Sequence, residues 1–381
     1  MRILYQLPST LVNAARARTQ KTETHVTSLS ALIPLALAAT IDLAPGAPLA
    51  EAISRARPGD VVRLGAGVHA GSLGRISGLR IEGAGADSTR VVAPEGQDGA
   101  VVTGRVELTG LTIEAGPART ALKVLDGEAL LGDVALRGAA IGAFLDGGRL
   151  EGRAVSLQGG YGLLVRNGDV TLRDGRVRAV GSAHAGVAVL RGTVRLSRFE
   201  LTGPFGEAAI TVGRGSARLE DVVIRNPGPT GLAVNGGEVT GQDVEVAGAR
   251  ELPVKGGASL DAILGDCLQV IRGSLTLTSS GLSRCGGAAL SASGGSVRLD
   301  GVDAQGGTAG GLILLDGARA DLRGNWVTGR GPAVVAASGA QVDATFNRWR
   351  TDPVFWVDCG AGARVRLGFG EHVSEPCAKT R

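Results

Sequence analysis

Aromatic residues are scarce in this chain of 381 residues, which contains two Tyr, three Trp and six Phe. Enzymes that cleave polysaccharides commonly line their clefts with aromatic platforms, and single-stranded nucleic acids stack on aromatic side chains. The net charge is only +4, and the basic residues, almost all Arg, are scattered along the chain. We therefore expect no nucleic-acid partner, because a binder would need a clustered basic stripe with interleaved aromatics.

Common catalytic and metal-binding motifs are also missing. The sequence has no G-x-S-x-G, no G-x-x-x-x-G-K-[ST] and no H-E-x-x-H. The four His residues lie in different regions, and we interpret His69 and His184 as structural or solvated. We therefore predict no metal and no cofactor, although Ca²⁺ stays open for one acidic column described below. Enzymatic activity is left open, with a non-catalytic role favoured.

A hydrophobic run long enough to span a bilayer is absent from the N-terminal region. Leu29–Ala39 is an apolar run of about eleven residues, which is short for a membrane helix but fits the core of a signal peptide. Ala36-Leu37-Ala38 follows the A-x-A cleavage pattern. We predict that residues 1–38 are a signal peptide or leader and that the mature protein has no membrane span. The protein would then act in the periplasm, on the outer surface or outside the cell.

Glycine, in contrast, is abundant and periodic, with 62 residues in the chain. Each repeat, such as GVAVLRGTVRLSRFELTG from Gly186, has a short apolar strand, a Gly turn, an alternating strand, a second turn and a third short strand. The turn Gly recurs about every 21 residues, a period typical of solenoids. It is found at Gly127, Gly147, Gly168, Gly192, Gly215, Gly236, Gly256, Gly273, Gly294, Gly317 and Gly339.

The alternation within each repeat favours strands throughout. Val194, Leu196 and Phe199 would point to one side while Arg195 points to the other. Leucine-rich repeats have a similar period, but they return through a helical segment, whereas these returns alternate and are rich in Val and Gly. We predict an all-β chain that forms a single parallel β-helix of about 13 coils, stabilised by stacking of neighbouring coils.

The two ends of the solenoid differ from its repeats. Ala47–Arg57 has apolar residues at helical spacing and is followed by Pro58 and Gly59, which predicts a short helix that caps the first coil. We assign residues 39–58 to this N-terminal cap, 59–350 to the β-helix and 351–381 to a C-terminal cap.

Two segments resemble a known group. PLAEAISRARPGDVVRLGAGVHAGSL, from Pro48, is similar to the opening of right-handed parallel β-helix proteins of the pectate-lyase-like superfamily. DATFNRWRTDP, from Asp343, is similar to a closing motif of β-helix repeat proteins, with Arg350 in place of its usual Gly. The resemblance implies a right-handed β-helix but no single function, since the group includes lyases, hydrolases, esterases, adhesins and structural proteins. The pectate-lyase signature R-x-P-x-x-R is incomplete, because Thr230 stands where its second Arg would be.

One column of residues is a candidate binding site. Six residues past the turn Gly, five of the repeats carry Asp133, Asp174, Arg198, Asp221 and, with a shift of one, Asp243. We take Asp174, Arg198, Asp221 and Asp243 as candidate binding residues. Asp221 and Asp243 would lie about 5 Å apart and could share a cation such as Ca²⁺. The simpler interpretation is that Asp occupies a turn and caps backbone N–H groups.

Trp326 and Trp349 lie about one coil apart in the sequence. They could form a ligand-stacking pair, although packing under the C-terminal cap is favoured.

The four Cys residues predict two disulfides, Cys267–Cys285 and Cys359–Cys377. Cys267 and Cys285 occupy almost the same position in consecutive repeats, where stacked Cα atoms lie within disulfide range. An even number of Cys without metal-ligand spacing agrees with an oxidising compartment.

These observations favour an exported, non-catalytic scaffold or binding solenoid of the bacterial cell envelope, with a carbohydrate or an envelope protein as its partner. The alternative is a polysaccharide-active enzyme, a lyase or hydrolase, with an unrecognised carboxylate site. An enzyme should show a groove with converging carboxylates and a basic residue, whereas a scaffold should show flat faces with single charges.

Overall fold

The structure, a computed structural model, describes residues 38–181, 183–250 and 265–369. It is a parallel β-solenoid of about fourteen turns, with one α-helix. Strands inside the solenoid pair in parallel with their equivalents one coil earlier and one coil later, as in the pairing of Thr193 with Asp169 and with Ser216, and the outermost strands pair on one side. The parallel β-helix predicted from the sequence is thereby confirmed.

The strands, in chain order, are β1 (Thr40–Leu43), β2 (Val61–Leu64), β3 (Gly67–Ala70), β4 (Gly74–Ile76), β5 (Arg80–Glu82), β6 (Thr89–Val92), β7 (Ala100–Val102), β8 (Arg105–Ala115), β9 (Thr120–Leu125), β10 (Glu128–Gly138), β11 (Ile141–Gly159), β12 (Tyr161–Ala179), β13 (Ala185–Val189), β14 (Thr193–Thr202), β15 (Ala208–Val212), β16 (Ser216–Arg225), β17 (Leu232–Ala247), β18 (Leu268–Thr278), β19 (Gly281–Ser283), β20 (Ala288–Ser293), β21 (Ser296–Asp300), β22 (Asp303–Gln305), β23 (Gly310–Leu315), β24 (Arg319–Arg323), β25 (Trp326–Thr328), β26 (Val334–Ala336), β27 (Gln341–Thr345), β28 (Arg348–Arg350), β29 (Phe355–Val357) and β30 (Arg364–Leu367).

Each coil has three faces, which the coil around β14 illustrates. Face 1 is the segment after the turn Gly, represented by Thr193–Ser197, and face 2 is the segment after the next corner, represented by Phe199–Thr202. Face 3 is represented by β13. β14 continues from face 1 to face 2 and bends at Arg198, which has a positive φ of 48°.

Alternation along the strands fills the interior. In face 1 of this coil, Val194 and Leu196 are buried while Arg195 between them is exposed. Leu196 pairs in register with Leu172 and Leu219 on the neighbouring coils, and all three side chains are at most 1% exposed. Identical positions therefore form columns of apolar side chains along the axis, and no coil is stable without its neighbours.

The turn glycines occupy the corner between faces 3 and 1. Gly192 has a φ of 91°, and a Cβ atom placed there would lie 2.2 Å from the Gly168 carbonyl oxygen of the preceding coil. The conformation and the close approach both require Gly, which explains its periodic recurrence.

The helix α1 (Leu49–Arg55) covers the first coils, as expected. Leu49 and Ile53 lie one turn apart and are buried in the core. The parallel ladder extends past both bounds of the predicted 59–350 solenoid. β1 precedes the helix and pairs with β2, while β29 and β30 pair with β26 and β27. These outer strands have three or four residues each, too few to show a clear alternation in the sequence.

A buried amide ladder lies inside the last coils. Asn325 Nδ2 donates to the Leu299 carbonyl at 3.1 Å, and its Oδ1 accepts the Val302 N–H at 2.8 Å. Asn347 Oδ1 accepts the Asn325 N–H at 2.9 Å, and Asn347 Nδ2 donates to the Leu322 carbonyl at 3.0 Å. Asn347 belongs to the closing motif recognised in the sequence. This motif therefore supplies a buried amide that hydrogen-bonds the backbone at the corner between faces 1 and 2.

The spacing of the coils departs from the predicted period at one point. Leu232 pairs directly with Leu268, so the described residues form no coil between Gly236 and Gly273, where the spacing had placed one at Gly256. Gly256 itself and the predicted leader, except for its last residue, lie outside the described residues. Within the part of the chain that is described, no helix is long and apolar enough to cross a membrane.

Candidate functional site

The corner between faces 1 and 2 carries the column of residues singled out in the sequence. Asp133, Asp174, Arg198, Asp221 and Asp243 all have φ values between 48° and 54°. Asp is enriched in this left-handed region because its short side chain can hydrogen-bond locally. Arg198 adopts the same conformation, so the bend of the coil sets the backbone here while the side chain varies.

A groove on face 2 gathers three of the four predicted binding residues. Asp174, Arg198 and Asp221 line a cavity of about 620 Å³, together with Asp133 from an earlier coil. Asp243 does not line it. We call this cavity the face-2 groove.

The floor of the face-2 groove is formed by outward-pointing residues of five consecutive strands, which pair in register. They are Ala135, Ser156, Arg176, Glu200 and Val223. Strands stack about 4.8 Å apart, so the groove is about 20 Å long. The small side chains of Ala135 and Ser156 leave space at one end of the groove. Arg176 and Glu200, which are oppositely charged, lie side by side at the middle of the groove.

A loop walls the groove at its N-terminal end. The Ala86 N–H donates to Asp133 Oδ2 at 3.2 Å, and the Thr112 hydroxyl donates to the Ala86 carbonyl at 2.6 Å. Thr112 lies on face 2 but is only 1% exposed, because the loop covers it. Asp133 therefore holds the wall of the groove in place.

Asp174 is held by arginines on both sides. Arg198 Nη2 donates to its Oδ2 at 3.1 Å and Arg198 Nε to its Oδ1, while Arg153 Nε lies 3.1 Å from Oδ2. The hydrogen bonds from Arg198, and then the charges of Arg198 and Arg153, hold the pKa of Asp174 below its ordinary value. The carboxylate is therefore ionised and acts as an acceptor at neutral pH.

Other charges on face 2 are paired in the same way. Arg225 Nη1 lies 3.1 Å from Glu200 Oε1. Glu114 binds Arg90 at 2.7 Å and Arg137 at 2.9 Å. Partial burial acts to raise the pKa of Glu114, but the hydrogen bonds and charges of the two arginines outweigh it and leave the pKa lowered.

Asp221 and Asp243 occupy equivalent positions on adjacent coils, since Val222 pairs with Val244. Among the residues that the structure describes, no group of three or more His, Cys, Asp or Glu is arranged to hold a metal ion. The positive φ of both residues fits the simpler interpretation, in which Asp occupies a turn.

Three residues on the floor of the groove, Arg176, Glu200 and Ser156, were not predicted from the sequence. Each of them lies two residues after the corner residue of its coil, and this spacing could have identified them. Alternation makes that position point outward beside the column, so counting from Asp174 and Arg198 would have found them.

The two tryptophans do not form a pair. Arg348 pairs with Trp326, and Trp349 pairs with Val327, so neighbouring positions in the ladder point in opposite directions. Trp326 is 39% exposed, and the guanidinium of Arg350 lies 5.0 Å from its ring centroid. Trp349 packs against the core and meets Phe355 edge-on, with ring centroids 5.3 Å apart.

The two histidines among the described residues, His69 and His184, do not line the groove. His69 is fully buried, with its Nε2 2.9 Å from the Gly65 carbonyl oxygen. His184 stacks on Tyr161 with ring centroids 5.3 Å apart. Burial raises the pKa of Tyr161.

The disulfide Cys267–Cys285 is confirmed, with a Cα–Cα distance of 5.4 Å. The reason given from spacing was inexact, however. Leu268 pairs with Leu290, so the equivalent of Cys267 is Ala289, four residues beyond Cys285. The bridge instead joins two positions of one coil: Cys267 directly precedes β18, and Cys285 lies two residues after the end of β19. Cys377 lies outside the described residues, so Cys359–Cys377 stays a prediction.

No protein-family profile matches this chain, and no curated protein matches it in sequence. Solved structures that are similar include pectate lyase Pel9A, with 12% identity, 63% of this chain and 76% of that chain covered, and a TM-score of 0.47. Another is the catalytic unit of a GH87 α-1,3-glucanase from Streptomyces thermodiastaticus, with 14% identity, 82% and 64% covered, and a TM-score of 0.48. Tailspike protein 3 of bacteriophage CBA120 has 12% identity, 86% and 59% covered, and a TM-score of 0.49. Similarity at this level does not bear on activity, and the fold assignment rests on the strand register of this chain.

Proposed function

We propose that this chain is a non-catalytic binding β-helix that holds an extended saccharide along the face-2 groove. The observation that carries this proposal is a polar groove about 20 Å long, whose edge side chains are fixed by ion pairs such as Asp174 with Arg198. Hydroxyl-rich chains are recognised by charged and amide side chains that donate or accept hydrogen bonds from fixed positions.

The ion pairs favour binding over bond cleavage. A glycosidase needs a carboxyl group with a raised pKa to protonate the leaving oxygen. The pKa of Asp174 is shifted the other way by Arg198 and Arg153. A carboxylate so held can accept hydrogen bonds from sugar hydroxyls but has no proton to give at neutral pH.

The disulfide supports an address outside the cytosol. Disulfides form and persist in oxidising compartments, and Cys267–Cys285 closes a loop with a sequence separation of 18 residues. Export to the cell envelope or beyond is therefore part of the proposal, as is a carbohydrate partner of the envelope.

A second candidate function is a polysaccharide lyase or hydrolase. It is favoured by the convergence in one groove of two carboxylates, Glu200 and Asp221, with the cationic side chain of Arg176. A scaffold with single charges would not need this combination.

Affinity electrophoresis in gels that contain defined neutral or uronate polysaccharides tests the binding proposal. We expect at least one polysaccharide to retard the wild type, and Arg176→Ala and Glu200→Ala to abolish the retardation. The matched controls are Arg364→Ala and Glu128→Ala, exposed or partly exposed positions on face 1 outside the groove, which should behave as the wild type does. Wild-type migration unchanged by every polysaccharide would contradict the proposal.

The same polysaccharides distinguish binding from catalysis. We expect no new reducing ends or unsaturated sugars after prolonged incubation with the wild type. Product release that Glu200→Gln or Asp221→Asn removes, while retardation in the gel persists, would establish the enzyme instead.

A further inference from the structure

We propose that a second cavity, at the corner between faces 2 and 3 in the C-terminal coils, binds a sugar that carries a phosphate or sulfate group. This cavity has a volume of about 620 Å³. Its polar lining is contributed by consecutive coils and consists of Arg284, Gln305, Thr308, Thr328, Arg330 and Arg350. We call it the arginine corner.

All charged side chains that line the arginine corner are positive. Arg284, Arg330 and Arg350 line it, and no Asp or Glu does. Within the described parts of the chain, none of the three guanidinium groups forms a salt bridge, whereas Arg198 and Arg225 of the face-2 groove each bind a carboxylate. Three like charges around one cavity repel each other, and an anion that enters relieves this repulsion.

Arg350 is positioned before any ligand arrives. Its guanidinium lies 5.0 Å from the centroid of the Trp326 ring, a cation–π contact that orients the group without neutralising it. Asp303 pairs in register with Trp326 on the same face, but it does not line the cavity.

The size of the arginine corner exceeds that of a bare ion. Binding sites for small molecules measure about 300–1,000 Å³, and this cavity falls in that range. Its remaining lining is Cys285 and four glycines, so no large side chain fills the space between the arginines. Gln305 and Thr328 offer amide and hydroxyl groups to a polar ring.

The three arginines of this cavity favour a phosphate or sulfate group over a carboxylate. Guanidinium groups bind phosphate and sulfate oxygens in bidentate fashion. A phosphate ester carries a charge of about −1.5 to −2 and three acceptor oxygens, which matches three separate arginines better than the two oxygens of one carboxylate.

This inference does not depend on the proposed function of the face-2 groove, because the two cavities share no lining residue. Loss of polysaccharide retardation in the groove variants would leave binding at the arginine corner intact, and the reverse also holds.

Isothermal titration calorimetry of the full chain with glucose 6-phosphate, glucose 6-sulfate, glucose and inorganic phosphate tests the inference. We expect one site that binds at least one of the two esters, weak binding of inorganic phosphate and no binding of glucose. The two esters distinguish the source of the anion. Arg330→Gln and Arg284→Gln should each weaken the affinity about tenfold or more, the range expected for one hydrogen bond to a charged group.

Arg364→Gln, an exposed arginine on face 1, is the matched control and should bind as the wild type does. Trp326→Leu should weaken binding several-fold by releasing Arg350, with circular dichroism unchanged. Equal affinity of wild type and Arg330→Gln, or equal affinity for inorganic phosphate and the esters, would overturn the inference.

Discussion

The corner between faces 1 and 2 is stabilised from outside in the middle coils and from inside in the C-terminal coils. In the middle, the corner residues are charged, and Asp174 binds Arg153 and Arg198 at the surface. Near the C terminus, Asn325 and Asn347 lie buried behind the corner and bind backbone groups. The same bend is thus held in two ways, and only the first leaves polar side chains at the surface for a ligand.

Removing the disulfide should have the largest effect on the C-terminal half. The double change Cys267→Ala and Cys285→Ala opens a loop with a sequence separation of 18 residues. The chain-entropy model gives a loss of about 3 kcal/mol in the free energy of unfolding. Urea denaturation of wild type and variant measures it. A free energy of unfolding equal to that of the wild type would show that the bridge does not stabilise this half.

The second largest loss of stability should come from a change in the buried amide ladder of Asn325 and Asn347. Asn325→Ala leaves the Val302 N–H and the Leu299 carbonyl buried without their partner, and each such group costs about 1–3 kcal/mol. Denaturant midpoints should therefore fall by an amount close to that of the disulfide variant. Asp243→Ala, at the same corner of a middle coil, is the control, and we expect its loss to be clearly smaller because its side chain is exposed. Equal losses would remove the difference between the two halves.

One substitution in the C-terminal half, at Asp266, should instead raise the stability of the protein. Asp266 is buried, and its Oδ1 accepts the Ala288 N–H at 2.7 Å. Burial raises its pKa, outweighing this hydrogen bond, so the native state favours the protonated carboxyl. The stability from this group is present below the unfolded pKa and is lost as the pH rises through the folded value.

Asp266→Asn, which is neutral and keeps an acceptor, should therefore melt above the wild type at about pH 7, and this advantage should shrink at about pH 3. Thermal denaturation at both pH values measures the difference. An advantage that is the same at both would contradict the role assigned to burial.

The smallest effect should come from the ion pairs of the middle coils. Asp174→Asn removes the surface contacts with Arg198 and Arg153. The pKa of Asp174 is lowered in the folded protein, so its contribution is present above the unfolded pKa and is lost as the pH falls through the folded value. We expect a slight fall in melting temperature at neutral pH that disappears in high salt and in acid.

Asp243→Asn is the matched control, since Asp243 has the same backbone conformation outside the groove. A melting temperature that falls equally in both variants, or that is insensitive to salt, would show that the corner conformation rather than the ion pair is responsible.

The sequence by itself determined the fold of this protein. Periodic glycines and alternating strands such as Thr193–Thr202 predict a parallel β-helix, because each coil must place its turn and its apolar residues at the same positions as its neighbours. The column through Asp174 and Arg198 follows from the same period, whereas Cys267 and Cys285 meet although they are not equivalent positions of adjacent coils.

Only the tertiary structure decided which side chains meet. Coil lengths vary, from 19 residues between the paired Val61 and Arg80 to 36 between Leu232 and Leu268, so positions cannot be counted from the turn glycines alone. A shift of one residue turns a side chain from the surface to the core, as the opposite directions of Trp326 and Trp349 illustrate. The face-2 groove and the arginine corner both arise from this coil-to-coil register, which the packing of the core sets.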